Sequence, residues 1–269
     1  MDNYKDNKKA FITGASSGIG AEFARQLASH GYDLTLVARR KERLDNLAGE
    51  LQQKYAVRAD VLVADLTRDE DLQRLENHIN QLEILDLLIN NAGFGMHGKF
   101  TELDISKHIT MIQVHDIASV RLSWAALPGM LARNQGGIIN VSSISGLVPI
   151  GNITYGTTKA FQVVFSETLQ LELSVTGIHI QALCPGYTYT EFHDRQDLEG
   201  FQRSRIPKAL WTSTEQVVSE SLTGLKKGKV IVVPGRLNRI FASLGRRSIF
   251  ANLLRSVVVR VRSKRYDRS

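Results

Sequence analysis

Tyr155 and Lys159 lie four residues apart in Tyr155-Gly156-Thr157-Thr158-Lys159, and Ser143 precedes the tyrosine by twelve residues in Val141-Ser142-Ser143-Ile144-Ser145-Gly146. Residues four apart on a helix share a face, one turn from each other. A hydroxyl, a phenol and an ammonium grouped in this way can hold a carbonyl oxygen and hand it a proton. The phenol is a weak acid, with an ordinary pKa of about 10, and a neighbouring ammonium is expected to lower it by favouring the phenolate. Helices often carry Tyr-x-x-x-Lys with no chemical role, as a helix anchor beside a surface lysine. The elements in front of the pair therefore decide its meaning.

Those elements alternate. Lys9 to Thr13 reads as a short buried strand, and after it comes Gly14-Ala15-Ser16-Ser17-Gly18-Ile19-Gly20. Ala21 to His30 has helical periodicity and stops at Gly31. Strands are expected at Asp33–Ala38, Arg58–Val63, Leu85–Ile89, Gly137–Val141, Ile178–Leu183 and Lys229–Val233. Helices are expected at Lys41–Tyr55, Asp69–Leu82, Thr154–Thr176 and Thr214–Leu225, with Asp104–Leu131 as one long helix or two abutting ones. Strands separated by helices imply right-handed crossovers, so the fold class is α/β: one Rossmann-like, doubly wound parallel sheet with helices on both faces.

Composition narrows the function classes. The 269 residues are 43% hydrophobic and 23% charged, ordinary globular values, and are enough for a sizeable core. The single cysteine excludes an internal disulfide framework, and no Cys/His cluster has metal-ligand spacing, so no metal site is expected. The polar first ten residues lack a signal-peptide core and no apolar run is long enough to span a membrane, which makes a cytoplasmic location the expectation. Net charge is +7, unevenly placed: of 34 Lys/Arg and 27 Asp/Glu, ten and one lie between Arg236 and Ser269, which leaves that stretch at +9 and the rest at −2. The chain thus divides into a main domain over residues 1–235 and a basic C-terminal extension over 236–269.

The turn from Gly14 to Gly20 has a chemical purpose where it stands. Glycines let the backbone approach a phosphate, and the following helix presents its positive end to it. Coming after the first strand and before the first helix, it is the expected dinucleotide fingerprint rather than a plain Gly/Ser turn. The Gly-Lys-Ser/Thr of a P-loop is absent, which argues against triphosphate hydrolysis.

Thr13-Gly14-x-x-x-Gly18-x-Gly20, Asp65-Leu66, Asn90-Asn91-Ala92-Gly93, Ser143/Tyr155/Lys159 and Pro185-Gly186, in this order, resemble the classical short-chain dehydrogenase/reductase family from about Lys8 to Val233. The resemblance implies an oxidoreductase in which Ser143 binds the substrate carbonyl, Tyr155 is acid or base, and Lys159 holds the nicotinamide ribose. It assigns Gly14, Ser16, Ser17, Gly18, Ile19 and Gly20 to the diphosphate turn, Asp65 and Leu66 to the adenine, and Asn91, Ala92 and Gly93 to the adenosine and ribose side. Pro185, Gly186, Thr188 and Thr190 fall on the nicotinamide and diphosphate side. At the end of the second strand, Ala38 stands where a carboxylate would select the unphosphorylated cofactor. Arg39 and Arg40 follow and can meet a 2′-phosphate, so NADP(H) is the expected cofactor.

One residue departs from the family. His115 occupies the position where asparagine usually helps to hold a water in a proton relay from the lysine. Two readings stand: a polar replacement without a catalytic role, or an imidazole that joins the relay and titrates near neutrality.

The stretch of about 186–213, with Phe201, Ile206, Leu210 and Trp211, reads as a lid over the substrate, with Phe94, Met96, His97, Pro149 and Ile150 as further walls. Apolar lining suits a bulky, mainly hydrophobic ketone or aldehyde, reduced reversibly to an alcohol. The runner-up is a dinucleotide-sensing or scaffold protein with little turnover. In the extension, Ile249, Phe250, Leu253, Leu254, Val257, Val258 and Val261 form an apolar helical stripe among arginines and lysines. Docking onto the body or a partner subunit is favoured over peripheral membrane contact. Nucleic acid is not an expected partner. The family resemblance implies a homodimer or homotetramer.

Overall fold

The computed structural model describes residues 8–194 and 206–245. Its central strands are buried on both faces, which is why they are apolar nearly throughout rather than alternating. Phe11 and Ile12, Leu36 and Val37, Leu88 and Ile89, and Ile138 and Ile139 each split between two cores, with none more than 1% exposed. Successive side chains on a strand point to opposite faces, so both layers of helices draw on the same strands.

The strands are β1 (Lys9–Thr13), β2 (Asp33–Ala38), β3 (Ala59–Val63), β4 (Leu87–Asn90), β5 (Gly136–Val141), β6 (Ile178–Leu183), the short β7 (Tyr187–Thr188) and β8 (Trp211–Thr212), and β9 (Ile231–Val232). Seven of them form one sheet in the order β3-β2-β1-β4-β5-β6-β9, all pairs parallel, while β7 and β8 pair with each other. Helices α1 (Gly18–Ser29), α2 (Lys41–Tyr55) and α7 (Thr214–Lys226) cover one face through Phe23, Leu44, Leu47 and Val217. On the other face lie α3 (Asp69–Gln81), α4 (Ile105–Ile112), α5 (Ala118–Arg133) and α6 (Ile153–Glu172), with Leu72, Leu75 and Leu122 in the core. The progression of strand order reverses between β1 and β4, and in a doubly wound sheet that switch point opens the crevice where ligands bind.

Two features bear on the site. The stretch expected as one helix or two is a single helical run in which α4 and α5 are joined by a π turn, Gln113–Ile117, where the Ala118 N–H reaches back to Gln113 O. Such single-turn widenings inside helices are frequent at functional sites. In addition, the basic extension begins with a helix, α8 (Arg236–Gly245), that packs on the body. A Cβ added to Gly245 would meet Val148 at 2.4 Å, and the Asn238 amide lies against Gly186. The apolar stripe at 249–261 and residues 195–205 of the expected lid lie outside the described residues. Among the described residues no helix is long and apolar enough to cross a membrane.

Phe23 of α1 is wholly buried, whereas Val175 is 92% exposed. Phe23→Ala is expected to cost about 3–5 kcal/mol of unfolding free energy, and Val175→Ala to change the urea midpoint little. Equal shifts for the two would contradict the placement of this core.

Candidate active site

The switch point is fastened by Thr13 and by Asn91, of which Asn91 reads from sequence as a ligand contact. Thr13 Oγ1 accepts from the backbone N–H of Asn91 at 2.9 Å and of Ala92 at 3.1 Å. In return the Asn91 side-chain amide donates to Thr13 O at 2.9 Å and Gly14 O at 3.2 Å. The turn is packed so tightly that a Cβ on Gly20 would stand 2.4 Å from Gly14 O. α1 then starts at Gly18, with Ser17 as its N-cap, no side-chain cap and no acidic residue in its first turn. The first N–H groups of such a helix have no partner within it, and an uncapped start of this kind suits an anion.

Beside this turn sits a cluster of arginines. Arg40 donates to Ser16 Oγ at 2.9 and 3.1 Å and to Ser17 Oγ at 2.6 Å. Arg39, one of the two arginines expected to meet a phosphate, is drawn to Asp65 Oδ2 at 3.8 Å. Asp65 also accepts from Thr67, and Leu66 is buried. Arg43, one helical turn beyond Arg39, was not singled out from sequence. With Arg40 it holds the Glu191 carboxylate.

At the other end of the crevice β5 delivers Ser143 and α6 delivers Tyr155 and Lys159. The Ser143 hydroxyl hydrogen-bonds the phenol and accepts from Ser145 N at 3.1 Å. Ser142 turns away, donating to Lys159 O at 2.6 Å. The Tyr155 ring stands edge-on to His115 and tilted to Phe192, with centroids 5.9 and 6.0 Å away. Burial pushes the phenol up to about 12, with the Ser143 bond pulling the other way. Enclosure thus dominates, the opposing pull comes from Ser143 rather than from the ammonium, and the expected lowering of the Tyr155 pKa is corrected on that ground.

Lys159 Nζ lies 5.8 Å from the phenol ring centroid. It donates to Val141 O at 2.8 Å and to Gln162 Oε1 at 3.0 Å. Burial lowers it to about 8 against the pull of the Asp116 carboxylate. Asp116 in turn is raised by burial to about 7, and its Oδ1 is buried with no hydrogen-bond partner among the described residues.

Gln162 went unnoticed in the sequence. Its amide closes a bridge, accepting from Lys159 and donating to His115 O at 2.9 Å. That carbonyl belongs to the π turn and also accepts from Ser119 Oγ at 2.6 Å. The signal for Gln162 was available: Lys159, Gln162, Val163 and Ser166 are spaced as one helical face and are all buried. A second polar layer, Asn90 to Asn140 to Ser166, supports it from below.

His115 is fully buried, with both ring nitrogens engaged. The Phe94 N–H donates to Nε2 at 3.1 Å, so Nδ1 carries the proton and donates to Thr158 Oγ1 at 2.9 Å. Burial and the nearby Lys159 charge hold its pKa well below the usual value. Gly93 is pressed between these groups: a Cβ there would stand 2.9 Å from His115 Nε2 and 3.6 Å from Lys159 Nζ. Pro185 O accepts from Ile144 N, while Thr188 donates to Gly186 O. Tyr187 and Tyr189 pack on Trp211, with ring centroids 5.5 and 4.8 Å away.

A family model described as short chain dehydrogenase matches residues 8–199. A very-long-chain 3-oxoacyl-CoA reductase of Anas platyrhynchos is 37% identical over 188 residues, 68% of this chain and 60% of that protein. The chain therefore spans about 60% of that relative's length. Among solved structures, a short-chain dehydrogenase from Sphingobium yanoikuyae in complex with NADPH has a TM-score of 0.79 and 36% identity, covering 84% of this chain and 87% of the other. A bulky-bulky ketone specific alcohol dehydrogenase from Comamonas testosteroni has a TM-score of 0.77 and 30% identity, covering 96% and 95%.

Histidine-labelled ¹⁵N NMR spectra should show one ring fixed as the Nδ1–H tautomer, unchanged between about pH 6 and pH 8 and lost in His115→Asn. A His115 ring that titrates in that range would contradict the geometry.

Proposed function

The chain belongs to the short-chain dehydrogenase family of oxidoreductases, and from that premise we propose that it reduces a bulky, mainly hydrophobic ketone or aldehyde to an alcohol with NADPH, reversibly. The observation that carries the reading is the Ser143, Tyr155 and Lys159 group at the carboxyl edge of the sheet, across the switch point from an arginine-lined glycine turn. The same crevice fits a dinucleotide. Gly14 to Gly20 and the α1 N-terminus would take the diphosphate, Asp65 and Leu66 the adenine side, and Asn91 to Gly93 the ribose side. Lys159 would hold the second ribose, with Pro185, Gly186, Thr188 and Thr190 beside the nicotinamide. The phosphorylated form is favoured by Ala38, which puts no carboxylate at the strand end, and by the Arg40, Ser16 and Ser17 cluster. The Sphingobium neighbour's NADPH agrees with that choice.

When bound, the nicotinamide supplies the hydride. The chain's own residues handle the oxygen and its proton. Ser143 donates to the carbonyl oxygen, and Tyr155, kept protonated by burial, gives up its phenolic proton as negative charge develops there. Lys159 steadies the resulting phenolate, with its ammonium aimed by Val141 O and Gln162. His115 serves as a neutral pin between the Phe94 backbone and α6 rather than as a relay, because both its nitrogens are committed.

The substrate class draws on the aromatics beside the phenol, Phe192 against Tyr155 and Phe94 against His115, and on Tyr187 and Tyr189 packed on Trp211. The Comamonas and Anas names both describe a ketone flanked by large groups. Exposed Ile105 and Ile109 on α4, Trp124 on α5 and Val164 on α6 favour self-association through that face into a dimer or tetramer.

NADPH oxidation across a panel of bulky ketones and aldehydes tests this. Tyr155→Phe should lower turnover by about 10²–10⁴-fold while dinucleotide affinity is kept. Dinucleotide binding without turnover on any carbonyl would favour the sensor reading instead.

A further inference from the structure

Glu191 occupies an unusual place for a carboxylate. It follows β7 in the chain, yet its two oxygens lie 2.6 and 2.7 Å from Arg43 Nη1, and one lies 3.2 Å from Arg40 Nη1. The same Arg40 guanidinium spans Ser16 and Ser17 in the glycine turn. Two guanidinium groups thus converge on one acidic group, and one of them also holds both hydroxyls of the glycine turn, a donor set that suits a tetrahedral oxyanion as well as a carboxylate. The position is fixed by the neighbouring residue, since Thr190 Cγ2 lies 3.1 Å from where a Cβ on Gly18 would be. Phe192, on the other side, packs at 6.0 Å from the Tyr155 ring. Three consecutive residues therefore touch the diphosphate turn, the arginines and the phenol.

We propose that Glu191 is an internal competitor for the 2′-phosphate of NADP(H), and that Arg43 belongs to the subsite for which the two compete. The inference rests on the dinucleotide reading above and deepens it. The side-chain half-exposure of Glu191 matters here, because an ion pair in contact with water is weak and can be displaced. A phosphate monoester carries close to two negative charges near neutrality and three acceptor oxygens, so it outcompetes a single carboxylate for both arginines. An unphosphorylated dinucleotide has nothing to exchange and leaves Glu191 on its arginines. Glu191 thus weakens NADP(H) binding while leaving NAD(H) untouched. The exchange also makes the Thr190–Phe192 link, and with it one wall of the phenol, sensitive to which cofactor is bound.

Calorimetric titration with adenosine 2′,5′-bisphosphate and with 5′-AMP tests the proposal without requiring turnover. Glu191→Gln, close in shape and half-exposed, should tighten the bisphosphate and NADPH by about threefold to tenfold and leave 5′-AMP and NADH unchanged. Arg43→Ala should loosen the bisphosphate alone, by about tenfold. Melting curves for both variants should match wild type. The proposal is overturned if Glu191→Gln changes both ligand classes equally or neither of them, or if the wild type binds 5′-AMP but shows no gain from the 2′-phosphate. Binding of neither class would remove the dinucleotide reading and this proposal together. Phosphate-dependent binding in a protein that reduces no ketone would keep this proposal and remove the reductase reading.

Discussion

A lysine ammonium only 4% exposed is the group to which the rest of the site is fitted. Taking such a charge out of water costs several kcal/mol even after relaxation, so the fold must supply acceptors at fixed places. Val141 O comes from the end of β5 and the Gln162 amide from the next turn of α6, while the Asp116 carboxylate on the π turn adds its opposite charge nearby. Each belongs to a different element, so one charge ties the sheet edge to two helices. The π turn is part of this arrangement, because its His115 O receives the far end of Gln162. The balance leaves Lys159 at about 8 and the phenol at about 12. Near neutrality the pair is then a charged ammonium beside a neutral phenol, the protonation state a proton donor to a carbonyl needs.

The parts legible in the sequence are those for which chemistry or periodicity demands residue types at short spacing. The glycine turn, the serine-tyrosine-lysine group and the strand-helix alternation are of this kind, and most element ends fell within a few residues of those expected. Contacts between distant positions were not legible. Glu191 meets Arg43 across 148 residues and Gln162 meets His115 across 47, and neither pairing leaves a local pattern. The π turn was hidden because one widened turn hardly disturbs a helical pattern 28 residues long. The sign of the Tyr155 shift failed for a related reason: a neighbouring charge can be read from spacing, but enclosure by His115 and Phe192 cannot.

The two poles of the crevice solve opposite problems with the same device. At the arginine pole, exposed positive groups are held by a carboxylate that a stronger anion can replace. At the lysine pole, a buried positive group is held by a carbonyl, an amide and a nearby buried carboxylate that cannot leave without stranding it. The first arrangement favours exchange and the second favours fixed geometry, as binding and proton transfer respectively require. The segment Thr190–Phe192 reaches from one pole to the other, and α8 closes over Gly186 and Val148 behind the serine loop.

The pH dependence of carbonyl reduction at saturating NADPH examines the central claim most directly, that a protonated Tyr155 acts beside a charged Lys159. The rate is expected to hold steady at lower pH and to fall as pH rises through about 8, where Lys159 loses its proton. A rate that climbs through the same range would show that the deprotonated pair is the active one, and would contradict the assignment.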